Sequence, residues 1–211
     1  MIVQFDQHNF HALCKHLTVM DNSLAVITTT YGYPPMWTRP NTFSTLVLTI
    51  LEQQVSLAAA FAAYKKLNGL LPQITPEGVL TLDDEALRAC YFSRQKISYV
   101  RGLASTIMEG KLDLQVMERE EDEAIREKLT RLKGIGDWTV DIYLLHALQR
   151  ADVFPTGDLA LVNAIRMIKE DKSIDKQAIL VMAEPWRPYR SIATMLFWHY
   201  YIQKKNIKLL H

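Results

Sequence analysis

The sequence predicts an all-α fold, on three observations. Apolar residues recur at helical spacing through most of the chain. Several of these runs open on Ser, Thr or Asp and stop near Gly, as capped helices do. No stretch alternates cleanly with period two; Val26–Thr30 has strand-like composition but is short and stands alone. In chain order, Met1–Tyr31 reads as helical. Phe43, Leu46, Val47, Ile50 and Leu51 form one apolar helical face behind Thr42 as N-cap. Ser56 caps a second helix carrying Leu57, Phe61, Tyr64 and Leu67, which stops at Gly69. Ser93 precedes Ile97, Val100, Leu103 and Ile107, with a stop at Gly110. Ile125, Leu129 and Leu132 lead into Gly134-Ile135-Gly136. Trp138–Leu148 is apolar on most sides and predicts a buried helix. Leu161, Val162, Ile165 and Ile168 make another, and Tyr189–Lys204 closes the chain, for a total of about nine or ten helices. Pro34-Pro35 and Phe154–Gly157 are the best-marked loops.

The 211 residues make one large domain or two small ones, with enough apolar content (49%) for a core. No apolar run reaches the ~18 residues of a membrane helix, and no basic start followed by an apolar stretch marks a secretory signal. Cys14 and Cys90 are isolated, which excludes a disulfide framework and a four-cysteine zinc or iron–sulfur site. The expectation is an intracellular domain without a metal cluster. Net charge is +1, but the charges are segregated. Arg88, Arg94, Lys96 and Arg101 lie in an acid-free stretch. Arg187, Arg190, Lys204, Lys205 and Lys208 lie in another, and the acids concentrate in Glu118–Glu127. Such segregation can build one basic face on a neutral molecule, or only solvated helix surfaces.

Three segments can carry chemistry. In Leu132-Lys133-Gly134-Ile135-Gly136-Asp137-Trp138-Thr139, two glycines allow a tight hairpin with positive φ between two helices. Backbone N–H groups at the start of the second helix suit a phosphate oxygen without reading base sequence. A plain helix–helix turn explains the same residues. In Phe154-Pro155-Thr156-Gly157-Asp158, Asp158 stands at an N-cap position. An aspartate needs no further job there, yet a carboxylate at a helix N-terminus can also face a developing cation or orient water. In Thr49-Ile50-Leu51-Glu52-Gln53-Gln54-Val55-Ser56, an apolar face ends in two glutamines whose amides can reach into a groove, or simply meet solvent.

Taken together and in this order, the segments resemble the helix–hairpin–helix DNA glycosylase superfamily, in its 3-methyladenine DNA glycosylase II (alkyl-base) branch. The resemblance runs from about Phe43 to Trp198. It rests on Gln53-Gln54-Val55-Ser56, the Gly134-Ile135-Gly136-x-Trp138-Thr139 hairpin, the Phe154-Pro155-x-x-Asp158 segment and Trp186-Arg187-Pro188-Tyr189-Arg190-Ser191. It implies two helical subdomains with a helix–hairpin–helix motif and a DNA-binding cleft between them, within a single compact unit over residues 1–211. The central subdomain is expected over 41–150, with the hairpin at about 125–149; residues 1–40 join 151–211 in the other.

The resemblance further implies a monofunctional glycosylase of base excision repair. It would hydrolyse the N-glycosidic bond of a flipped-out alkylated purine (3-methyladenine or 7-methylguanine type) and leave an abasic site. Asp158 falls on the catalytic aspartate. Trp138 takes the place of the lysine nucleophile of bifunctional members, so no lyase step is expected. Gln54 matches the residue inserted into the gap, and Gln53 a pocket-side neighbour. Trp138 and Trp186 fall on aromatic pocket positions, with Trp37 and Tyr143 as further candidates; for each, core packing is the plain alternative. Electron-rich faces suit a cationic base, at about 0.5–2 kcal/mol per contact. Lys133, Gly134, Ile135, Gly136 and Thr139, with Arg187, would contact DNA. No cofactor is implied beyond a monovalent cation on the carbonyls of Thr130, Leu132 and Ile135.

Two features depart from the family pattern. Asp137 is an acid beside the presumed phosphate site, and the chain lacks the length for an extra N-terminal sheet domain. His8, His11 and His16 lie on an N-terminal helix without a fourth ligand and read as surface or packing residues. His146 and His199 read as core or groove neighbours, and Glu118–Glu123 as a solvated helix start. Double-stranded DNA with damaged bases is the expected partner of a monomer. The setting is the bacterial cytoplasm or a eukaryotic nucleus, not a membrane or the exterior. The rival readings are a non-catalytic helix–hairpin–helix DNA-binding module, with Asp158 only a cap, and a glycosylase for deaminated or oxidised bases.

Overall fold

Local capping chemistry starts most of the helices, and a computed structural model describes residues 3–208. Among them the elements are α1 (Phe10–Met20), α2 (Asn22–Tyr31), α3 (Phe43–Glu52), α4 (Leu57–Leu70), α5 (Pro76–Thr81), α6 (Asp84–Ala89) and α7 (Arg94–Met108). There follow α8 (Leu114–Met117), α9 (Asp122–Thr130), α10 (Asp137–His146), α11 (Leu159–Ile168), α12 (Lys176–Ala183), a 3-10 turn (Glu184–Trp186) and α13 (Arg190–Lys204). Side chains of Thr42, Ser56 and Ser93 accept the amides of Thr45, Ala59 and Lys96, satisfying donors that a helix start leaves open. Thr75, Asp83, Asp113 and Asp175 do the same for α5, α6, α8 and α12, four short helices whose apolar pattern is too brief to announce them. The all-α expectation holds: the described residues contain no strand, only an isolated bridge between Gln4 and Arg150.

That bridge corrects the expectation of helix throughout Met1–Tyr31. Residues 3–5 run beside 149–151, with the Phe5 amide donating to Gln149 O at 3.0 Å and Ala151 N to Val3 O at 2.9 Å. Phe5 is thereby buried, and His8 precedes α1 rather than lying on it. Residues 1 and 2 of that expectation, and 209–211 of the closing segment, lie outside the described residues. Val26–Thr30 sits within α2, where the Asp21 cap and the burial of Leu24 and Ile27 override β-propensity.

The chain divides into two units, whose described residues are 3–38 with 144–208, and 39–143. The division falls after Thr38 and Tyr143, so Leu144–Arg150 belong to the first unit rather than to the central one. In the first unit α13 packs against α1, α2 and α11. Every residue from Ser191 to Tyr200 is buried, so this helix is the unit's central element. In the second unit α7 packs against α3, α5 and α6, and α3 against α4. Ile50, Val100 and Leu103 lie in its core. No helix among the described residues is long and apolar enough to cross a membrane.

Candidate active site

In the second unit, the turn between α9 and α10 is set by backbone geometry. Gly134 adopts φ +87°, in the left-handed region that glycine tolerates. A Cβ there would lie 2.1 Å from the Tyr99 ring, so the aromatic face of α7 occupies the space a side chain would need. The Ile135 amide closes the turn on Leu132 O at 3.1 Å, and Val140 N donates to Gly136 O at 3.1 Å, which begins α10. Amides of the first α10 turn after the exposed Gly136 have no intrahelical acceptor and can meet an anion. Lys133 is exposed beside them, and Trp138 is half-buried.

Two residues expected to contact DNA at this turn bury their side chains, which leaves Thr139 its backbone amide in the first α10 turn for that contact. The Ile135 side chain is buried and its N–H is spent on the turn. The Thr139 side chain is also buried, and its hydroxyl accepts from Gln53 Nε2 at 2.8 Å. Gln53, expected as a pocket-side neighbour, also braces the hairpin: the same Nε2 donates to Gly134 O at 2.8 Å. Gln54, next in the chain, is exposed with φ +56°. Lys96 Nζ donates to Leu51 O at 2.7 Å and Gln53 O at 3.0 Å, at the end of α3. Burial pushes the Lys96 ammonium below the usual lysine range.

The acid beside the hairpin is paired. Arg126 on α9 donates from Nη1 to Asp137 at 2.9 Å and from Nη2 to Asp141 at 2.5 Å. Burial works against this cation, but the bonds and charges of Asp141 and Asp137 outweigh it and hold the group above its ordinary value. The carbonyls of Thr130, Leu132 and Ile135 are neutral oxygens of one short segment, a donor type that suits a monovalent cation. Leu132 O takes the Ile135 amide and keeps a second lone pair.

In the first unit, Asp158 caps α11 as its position suggests. Its Oδ1 accepts Leu161 N at 2.8 Å, and the indole Nε1 of Trp198 donates to the same oxygen at 2.9 Å. Trp198 stacks on His146, with centroids 5.4 Å apart and planes 10° from parallel. His146 Nδ1 lies 2.8 Å from the carbonyl of Trp37, whose half-buried ring is 6.4 Å from His199. The loop that delivers Asp158 is clamped from α13. Ser191 Oγ donates to Arg150 O at 2.6 Å and accepts Val153 N at 2.9 Å, while Arg190 pairs with Asp152. The half-buried Asp158 carboxylate thus takes donors from its own helix and from an indole N–H, on a loop clamped by α13.

Two further expectations are corrected here. Trp186 is 2% exposed; its ring lies against Phe154 and Phe197 and its N–H donates to Asp21, so it is core and offers no face to a base. Tyr143, in the second unit, is wholly buried and donates its hydroxyl to Asn41 at 2.6 Å. Arg187, expected to contact DNA, has a half-exposed side chain that pairs with Asp152 and Glu184. Sequence reading gave no site role to Trp198, Tyr99 and Arg126, and took Lys96 only as one cation of a basic stretch. Trp198 carries no distinguishing signal on a helix that is apolar all round; Lys96, a lone cation on an apolar periodic face, does.

With this geometry in place, comparison with known proteins adds identity. The family model described as HhH-GPD superfamily base excision DNA repair protein matches residues 47–190. DNA-3-methyladenine glycosylase 1 of Schizosaccharomyces pombe is 33% identical over 163 residues, covering 74% of this chain and 71% of that protein. The solved structure of a Schizosaccharomyces pombe 3-methyladenine DNA glycosylase with abasic DNA aligns at TM-score 0.84 and 28% identity, over 95% of this chain and 100% of that one. A Bacillus halodurans DNA-3-methyladenine glycosidase aligns at TM-score 0.77 and 30% identity, over 98% and 95%.

Proposed function

The chain belongs to the HhH-GPD superfamily of base excision DNA repair proteins, and from that premise we propose that it is a monofunctional glycosylase for alkylated purines. The observation that carries this reading is the carboxylate of Asp158, oriented by Leu161 N and the Trp198 indole rather than left to rotate as a surface cap. The named relatives are 3-methyladenine glycosylases, which supports alkylated bases as the substrate class.

The chemistry follows from charge. A purine methylated at N3 or N7 is a cation, so its departure with the C1′–N bond pair neutralises it and needs no proton. Positive charge then develops on the sugar, and the Asp158 carboxylate stabilises it and orients the water that attacks C1′. Base access requires flipping the nucleotide from the stack. Gln54 fills the gap, while the amides at the start of α10, with Lys133, hold a backbone phosphate. Trp138 and Trp37, both half-buried, remain the aromatic candidates for a cationic base. Trp138 stands where a lysine nucleophile would be needed for strand cleavage, so the product is an intact abasic strand. A monovalent cation on the Thr130, Leu132 and Ile135 carbonyls would supply positive charge beside that phosphate. The partner is double-stranded DNA with damaged bases, bound by a monomer in the bacterial nucleoid or a eukaryotic nucleus.

The test is base release from a labelled methylated duplex by wild type and Asp158→Asn, with duplex binding measured on both. Release by wild type and its loss in a variant that still binds supports the reading. Binding without release from any damaged duplex leaves a DNA-binding module. Release only from deaminated or oxidised bases moves the substrate class.

A further inference from the structure

The helix α7 sends two side chains from one face to the two turns that meet DNA in the reading above. Lys96 reaches the end of α3, and Tyr99, three residues on, lies under Gly134. The end of α3 needs such help. The last carbonyls of a helix have no intrahelical donor, and the helix dipole favours a cation there. Lys96 Nζ supplies both, at 2.7 Å to Leu51 O and 3.0 Å to Gln53 O. The residue that follows, Gln54, holds φ +56°, a conformation that costs a non-glycine residue energy and persists only where the surroundings hold it. Gln53 then ties this turn to the hairpin through Gly134 O and Thr139 Oγ1.

We propose that Lys96 is a positioning residue for gap filling: by anchoring the carbonyls of Leu51 and Gln53 it presents the exposed Gln54 in its left-handed turn, in fixed register with the hairpin. This rests on the reading of Gln54 as the inserted residue. The hairpin grips phosphate whether or not a base is flipped, so anchoring Gln54 acts on the damaged or gapped duplex and leaves undamaged DNA alone. A lysine that merely capped α3 would change stability without changing that preference.

The experiment uses the full chain and a duplex carrying a tetrahydrofuran abasic analogue, with 2-aminopurine beside the gap as a fluorescent report of insertion. Lys96→Met is expected to hold undamaged duplex within about twofold of wild type. It should lose about tenfold of the preference for the gapped duplex, the scale of one charge-assisted contact, together with the fluorescence change. Lys96→Arg is expected to restore part of both. Lys96→Gln, which keeps a polar end and loses the charge, is expected to give a smaller loss of the same kind and serves if Lys96→Met does not fold. A lowered thermal midpoint with unchanged gap preference in these variants overturns the proposal and leaves Lys96 a helix cap. A wild type that prefers gapped duplex yet releases no methylated base overturns the glycosylase reading alone; one without gap preference overturns the role of Gln54 and this proposal with it.

Discussion

Trp198 and Leu161 share one acceptor: the indole N–H and the backbone amide both donate to Asp158 Oδ1, at 2.9 and 2.8 Å. One carboxylate oxygen therefore starts α11 and is aimed by α13. This overlap of structural and chemical duty makes alanine a poor probe of Asp158. Asparagine is as good an N-cap as aspartate, whereas alanine loses about 0.5–2 kcal/mol of stability. Asp158→Asn is expected to melt close to wild type and keep duplex binding while base release falls by at least about a hundredfold, the scale of losing one electrostatic stabiliser. Asp158→Ala is expected to lose both. Equal release by wild type and Asp158→Asn would return the residue to capping alone.

Trp198→Phe keeps an aromatic ring against His146 and removes only the N–H. A hydrogen bond to a charged group contributes about 1.5–3 kcal/mol, so base release is expected to fall by about tenfold to a hundredfold. The α11 cap, made by the Leu161 amide, should survive. Single-turnover release beside a thermal melt separates the two; a melt that falls without any change in release would make Trp198 a core residue only.

How much of this was legible follows from the range of each interaction. Thr42, Ser56, Ser93 and Asp158 were readable as caps because a cap and its amide lie three residues apart. Helices α5, α6, α8 and α12 were not, since four to eight residues hold too few apolar positions to show a period. The roles of Gln53 and Trp186 were hidden because their partners are distant in sequence. Gln53 reads as an amide for a groove until Gly134 and Thr139, more than eighty residues on, take its N–H groups. Trp186 and Trp198 are equally aromatic in sequence; only tertiary packing decides that Phe154 and Phe197 enclose the first and Asp158 receives the second.

Gly134→Ala tests the hairpin directly. The new methyl would sit 2.1 Å from Tyr99 Cγ, and φ +87° is costly for alanine by about 1–2 kcal/mol before the clash is counted. The variant is expected to lose more stability than that and to weaken DNA binding. Tyr99→Ala in the same chain should recover the steric part and not the backbone part. Urea midpoints of the two single variants and the double variant check this. Additive losses would mean that the ring and the glycine do not meet.

Arg126→Gln takes the guanidinium from Asp137, which is 80% exposed, and from Asp141. Negative charge then faces the phosphate held by the hairpin. Duplex affinity is expected to fall by about threefold to tenfold at low salt, with the gap closing as salt rises and screens the repulsion. Asp137→Asn is expected to shift affinity the other way, and to restore part of it in the Arg126→Gln background. A loss that persists unchanged at high salt would place the effect in packing rather than charge.

Cys14 gives a pH dependence with a definite sign. Burial in the α1 core pushes its thiol from 9.0 up to about 12. Between those values the unfolded chain releases a proton that the folded protein keeps, so the folded state binds more protons and stability falls as pH rises. The contribution is fully present below 9.0 and is lost progressively toward about 12. Cys14→Ala lacks the group and the slope. Its stability deficit against wild type is therefore expected to be constant below pH 9.0 and to shrink above it, by up to about 1.4 kcal/mol per pH unit. Urea midpoints of both proteins from about pH 8 to about pH 11 read the difference directly, and the subtraction removes the tyrosines and lysines common to both. A deficit that stays flat across that range would mean the thiol ionises in the folded core as readily as in the unfolded chain.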